Sequence, residues 1–107
     1  MKANIDTALT TVVTQLRNGL NPEAIYLFGS HARGDAEDDS DVDLLVVVGE
    51  SGQPRHKRAQ QARAIANDRS FAKDILVFTR QEWERGLKVV ASLPTTVIRE
   101  GRLLYER

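Results

Sequence analysis

The 107-residue chain has no cysteine and two histidines, and its charges cancel, fifteen Lys and Arg against fifteen Asp and Glu. Each scarcity removes a class of function. Without cysteine there is no disulfide framework, no thiolate zinc site and no cysteine nucleophile. Two histidines are too few for a multi-histidine metal centre within one chain. A net charge of zero argues against a basic module held on nucleic acid by counterion release, and against a basic helix lying on a membrane. The longest apolar run, Leu44 to Val48, is five residues, far below the ~18 that a membrane span requires. No G-x-x-x-x-G-K-[ST] string occurs, which excludes a P-loop. Met1 to Asn4 leads straight into an amphipathic pattern without signal-peptide features. The expectation is one cytoplasmic domain over residues 1–107, with no membrane association and no direct nucleic-acid binding.

The apolar residues then divide the chain into short elements. Ile5, Ala8, Leu9, Val12, Val13 and Leu16 share one helical stripe, with Gly19 as its expected stop. Ala24 to Phe28 reads as a buried strand ended by Gly29. Val42 to Val48 is the strongest strand, continuous and β-branched, and therefore expected to be covered on both faces. Arg55 to about Arg69 reads as a helix with Ala59, Ala62, Ile65 and Ala66 facing inward. Asp74 to Phe78 gives a third strand. Thr79 and Glu82 match a capping box, and the helix they open places Trp83, Leu87 and Val90 on one side. Pro94 starts a short helix that stops at Gly101, and Leu103 to Tyr105 adds an edge strand. This order specifies an α/β fold, a small mixed β-sheet with flanking helices.

The chemistry is concentrated between Gly29 and Asp43. Asp41 and Asp43 stand two apart at a strand start and so project from one face. Side-by-side carboxylates repel unless they are solvated, share a proton or hold a cation. Hard oxygen donors of this kind suit magnesium or manganese. Asp74 opens the third strand 33 residues after Asp41 with a helix between, a spacing that suits a right-handed βαβ crossover and makes the two strands parallel. All three aspartates then reach one sheet edge. An antiparallel first strand brings Gly29 and Ser30 to the same edge, where a glycine turn opening a helix can hold a phosphate. Carboxylate-held metal opposite such a turn describes phosphoryl or nucleotidyl transfer, with two ions flanking the displacement.

These residues resemble a known family. Gly29-Ser30, ten intervening residues and Asp41-Val42-Asp43 reproduce the GS-x10-D-x-D signature of the DNA polymerase beta-like nucleotidyltransferases. The string Gly29-Ser30-His31-Ala32-Arg33-Gly34-Asp35, continuing to Ser40-Asp41-Val42-Asp43-Leu44, is similar to the minimal nucleotidyltransferase (MNT) branch. The resemblance implies a polymerase beta palm-like fold, Gly29 and Ser30 on the triphosphate, and Asp41 and Asp43 on two Mg2+ ions. Asp74 would be the third carboxylate, completing the metal site or helping to deprotonate the acceptor. Arg33 is a candidate phosphate contact. Relatives with small-molecule or nucleic-acid acceptors generally carry further domains, so the acceptor is expected on a partner protein. In the MNT branch many members resemble antitoxins that transfer AMP from ATP to a tyrosine of a helical HEPN-type toxin. A non-catalytic antitoxin that acts by binding is the alternative. A small-molecule acceptor would call for a homo-oligomer to build its pocket.

Blander readings compete with these. Asp39, Asp41, Asp43 and Glu50 match four ligand positions of an EF-hand loop, but Leu44 stands where that loop needs glycine. His31 and His56 read as exposed. The helix from Arg55 carries four more positive than negative charges, and residues 35 to 43 hold six acids and no base. A solvated helix face and an acidic metal loop are the expected meanings. Trp83 with Leu87 reads as a core pair, and Tyr105 as closing the edge strand. Nucleotide base, acceptor and oligomeric state are not encoded in any of these patterns.

Overall fold

A computed structural model describes residues 2–107, with side chains described from Asp6 onward; Ile5 of the expected stripe lies outside the described side chains. The elements follow as α1 (Lys2–Leu20), β1 (Ala24–Phe28), α2 (Ser30–Arg33), β2 (Val42–Val48), α3 (Arg55–Ile65), β3 (Lys73–Thr79), α4 (Arg80–Leu87), α5 (Leu93–Glu100) and β4 (Arg102–Glu106). The sheet order is β3-β2-β1-β4. β2 runs parallel to β3 through the α3 crossover and antiparallel to β1, as the spacing requires, and β4 lies antiparallel on β1. No helix among the described residues is long and apolar enough to cross a membrane.

β2 has six buried residues out of seven because the sheet is covered on both faces. Val42, Leu44, Val46 and Val48 pack with Leu9, Val12 and Leu16 of α1 and Ala62 of α3. Leu45 and Val47 turn the other way, onto Phe78, Trp83 and Val97. Each such aliphatic side chain gains ~1.5–3 kcal/mol by leaving water, so the one polar residue of the strand, Asp43, is costly to hold there.

Four local expectations give way to tertiary packing. Gly19 does not stop α1: a Cβ there would stand 2.6 Å from Ile65 Cγ2, so the glycine lets α1 and α3 approach closely. The chain turns at Asn21 instead, in the left-handed region at φ 48°, where asparagine is tolerated. α3 ends at Ile65 rather than Arg69. The Asp68 carboxylate there accepts from the Ser70 N–H at 2.8 Å and its hydroxyl at 2.5 Å, a local turn that competes with helix. The expected Trp83–Leu87 core pair does not form. α4 is only two turns long, Trp83 stacks on Tyr26 with centroids 4.9 Å apart, and Leu87 and Val90 stay exposed.

The fourth concerns the basic helix, whose charges are not all solvated. Arg58 is 7% exposed. It donates to Val77 O at 2.7 Å, to Gln53 O at 3.0 Å, and to both Glu82 oxygens at 2.8 and 3.0 Å. Val42 N–H bonds Ala72 O. Bonded residues alternate along a parallel ladder, so Val77 turns its carbonyl to the open side of β3. Arg58 therefore caps an outer sheet edge, while a register shift between Ile25 and Tyr26 irregularises the β4 pairing at the other. Arg55 lies over the Phe78 ring at 4.2 Å and 3.6 Å from Glu82. Glu82 also accepts from Thr79 N–H at 2.9 Å, completing the expected capping box. The Arg58 hydrogen bonds, then the Thr79 N–H and the neighbouring guanidinium charges, hold its carboxyl down at about 2 against desolvation.

Candidate active site

The C-terminal end of β1 and the N-terminal ends of β2 and β3 meet at one edge of the sheet. Antiparallel pairing sets Phe28 opposite Asp43, and parallel pairing sets Asp43 opposite Asp74. Partners in register point to the same face, here the face that also carries Leu45 and Val47 under α4 and α5. Asp41 lies two residues before Asp43, just outside the strand. Asp43 is half-buried, whereas Asp41 and Asp74 are exposed.

Gly29 follows Phe28 at φ 77° and ψ −157°, and a Cβ on it would stand 2.2 Å from Asp43 Oδ2. The turn therefore rests directly on the carboxylate, which no other residue type allows. The chain then winds into α2, where Ala32 and Arg33 return their N–H groups to Gly29 O at 3.1 Å each. The first N–H groups of such a turn have no intrahelical acceptor. Gly29, Ser30, Asp41, Asp43 and Asp74 are thus brought to one edge. Gly29→Ala is expected to lower the melting temperature, since it combines positive φ with a collision against Asp43; thermal melts check this.

Electrostatics reports the crowding. Burial pushes the Asp43 carboxyl up, and the Asp74 and Asp41 carboxylates push it further, partly offset by His31 and Arg33. A divalent cation among the three would remove this repulsion, and their oxygens are the donors that magnesium or manganese takes. As placed, no three acidic or histidine side chains among the described residues enclose an ion by themselves. That is compatible with Mg2+, which is commonly held by one or two carboxylates with waters and substrate phosphates supplying the rest.

Arg33 lies with its Nε 3.3 Å from Asp35 Oδ2 and its Nη1 3.8 Å from Glu100 Oε1, so its half-exposed guanidinium pairs with carboxylates of the loop and α5. His31, expected to be exposed in a loop, is a half-buried member of α2 with Nε2 3.0 Å from Ser40 O. That contact joins residues nine apart through an irregular loop, and no periodicity announces it. His56 is exposed, as expected. A hollow of about 900 Å3 is lined by Leu9, Leu27, His31, Phe71 and Arg102 with the acidic loop. Leu9 and Leu27 belong to the α1 side of the core, so this hollow lies on the sheet face opposite the one that carries Asp43 and Asp74.

Comparison with known proteins agrees with this fold. The family described as polymerase beta, nucleotidyltransferase, matches residues 11–107. A Methanocaldococcus jannaschii chain named a protein adenylyltransferase is 44% identical over 55 residues, which take in 51% of this chain and 54% of that one. The match thus spans about half the length of that curated relative. A nucleotidyltransferase structure from Sulfolobus solfataricus superposes with a TM-score of 0.68 at 23% identity, over 94% of this chain and 79% of that one. A toxin–antitoxin structure with AMP-PNP superposes with a TM-score of 0.59 at 21% identity, over 92% and 73%. At these identities the structural likeness establishes the fold.

Proposed function

Because the chain belongs to the polymerase beta nucleotidyltransferase family, we propose that it transfers AMP from ATP to a hydroxyl of a partner protein, in a magnesium-dependent step. The acceptor we favour is a tyrosine of a HEPN-type toxin, with this chain as its antitoxin. The observation that carries the reading is the register that sets Asp43 beside Asp74, with Gly29 resting on Asp43. The adenylyltransferase name of the M. jannaschii relative and the toxin–antitoxin neighbour support the direction of transfer and the kind of acceptor.

Gly29 and the Ser30 hydroxyl grip the triphosphate where α2 begins, using backbone N–H groups that have no other helical acceptor. Asp41 and Asp43, with Asp74, would hold Mg2+, which when bound supplies charge neutralisation at the phosphates. Asp74, exposed and in register with Asp43, accepts the proton of the acceptor hydroxyl. The hydroxyl oxygen then bonds the α-phosphorus as its bond to the bridging oxygen breaks, and pyrophosphate leaves. Asp43 and Asp74 stand on neighbouring strands beside the turn, so two of the three carboxylates are held by the sheet itself.

The test is ATP labelled at the α-phosphate, incubated with the purified chain, magnesium and a lysate of its source cells. The expected result is a labelled protein band, distinct from this chain, that disappears with EDTA. Label on no macromolecule, with stoichiometric silencing of a partner by binding, would replace transfer with a non-catalytic antitoxin.

A further inference from the structure

The loop that separates the Gly29–Ser30 turn from Asp41 carries Asp35, Glu37, Asp38 and Asp39, whose like charges favour an open loop. It is closed all the same. Asp35 N–H donates to Ser30 O at 3.1 Å at its near end. At its far end His31 Nε2 stands 3.0 Å from Ser40 O. A carbonyl oxygen only accepts, so Nε2 carries the hydrogen and donates. Ser40 is also held from the other side: its N–H donates to Glu37 O at 3.1 Å, and its hydroxyl accepts from Glu37 N–H at 2.9 Å. The next residue is Asp41.

We propose that His31 is a positioning residue of the transferase site: its Nε2–H, by holding the Ser40 carbonyl, sets Asp41 at a fixed distance from the Gly29–Ser30 turn. This inference rests on the functional reading above and adds the part that keeps its two halves in register. The turn itself rests on Asp43 rather than on Asp41, which lies outside the strand. The imidazole sits beside Ser30 in the chain and reaches across the loop mouth, so a side chain without a donor leaves Ser40 held by the local Glu37 turn and Asp41 anchored only on its far side, where Val42 N–H bonds Ala72 O. A displacement of about 1 Å in a reacting constellation costs on the order of 100-fold in rate.

Two substitutions separate the donor from the bulk of the ring. His31→Gln keeps an N–H at similar reach, and His31→Leu fills similar space without one. Two readouts are needed, amide hydrogen exchange over residues 37–43 and kcat for transfer of α-labelled AMP to the acceptor, with Asp43→Asn in parallel. His31→Leu is expected to speed exchange over that segment and to lower kcat ~10–100-fold. Its melting temperature should stay near that of the parent, because the ring is half-exposed. His31→Gln is expected to restore both exchange and kcat to within ~3-fold, and ring 15N shifts should show the hydrogen on Nε2 in the parent. Parental exchange and kcat in His31→Leu, or equal loss in both variants, would overturn the positioning role. Full transfer by Asp43→Asn would instead bring down the functional reading, and the proposal with it. Unchanged exchange in His31→Leu alongside an inactive Asp43→Asn would remove the clamp and leave that reading standing.

Discussion

Asp43→Asn is expected to reduce AMP transfer by at least ~1000-fold while raising the melting temperature of the metal-free protein. The two effects have opposite sign because the carboxylate is placed for charge it does not yet meet. Burial, then the Asp74 and Asp41 carboxylates, raise its pKa in the folded chain. A raised carboxyl binds its proton more readily folded than unfolded. Its contribution is therefore most favourable below the unfolded value of 3.8 and is lost as pH rises through the higher folded value. At neutral pH asparagine keeps the shape and removes the penalty. The gain in melting temperature should shrink as pH falls towards 3.8. Magnesium with ATP should stabilise the parent, by preferential binding to the folded form, and should lose most of that effect in the variant. A variant that melts lower than the parent, or still transfers AMP, would contradict the assignment of Asp43 to the metal and phosphate site.

The second large effect lies away from the chemistry. Arg58→Ala is expected to cost about 3 kcal/mol, the lower end for breaking a buried ion pair because Glu82 keeps some contact with water; the two side chains are 8% and 27% exposed. For a chain of this size that is a fall on the order of 15 °C in melting temperature. Three partners lose a donor together: Val77 O on the sheet edge, Gln53 O before α3, and the Glu82 carboxylate that caps α4. Removing both charges should hurt less than removing one. Arg58→Met with Glu82→Gln keeps volume and a capping side chain, so the double variant should melt above the value that adding the two single losses gives.

The same pair governs the acid limb. Glu82 is at about 2 folded and 4.5 unfolded, so its contribution is fully present above pH 4.5 and is lost as pH falls through about 2. That difference is on the order of 3 kcal/mol. Acid titration of melting temperature should show this limb in the parent and a flatter one in Glu82→Gln.

Much of the site was legible because it depends on chain geometry that a sequence states openly. The apolar, β-branched run from Leu44 to Val48 reads as a doubly covered strand, and alternation along it puts Asp43 on the face of Leu45 and Val47. A helix-long gap before Asp74 makes the crossover parallel, and the structure shows that register, Asp43 against Asp74. Gly29 at a strand end marks a tight turn, and the structure adds the reason, since Asp43 Oδ2 occupies the place of any Cβ. The capping box was legible for the same reason, because its partners are three residues apart.

What the chain could not announce is which polar side chains find each other. Arg58 looks like one more charge on a basic helix until Glu82, 24 residues later, closes on it. His31 looks like a loop histidine until Ser40 comes back beneath its ring. Leu87 fits an apolar stripe until α4 ends beneath it and Tyr26 takes its place beside Trp83. Gly19 reads as a helix stop until Ile65 of α3 arrives against it. Periodicity and spacing thus determine which faces are apolar and which strand ends meet, since both follow from a backbone with few conformations. The partner of a charge, the exposure of a helix end and the register of a loop were decided only by tertiary structure. Each depends on atoms brought together by packing from distant parts of the chain, where desolvation either finds a hydrogen bond or is refused.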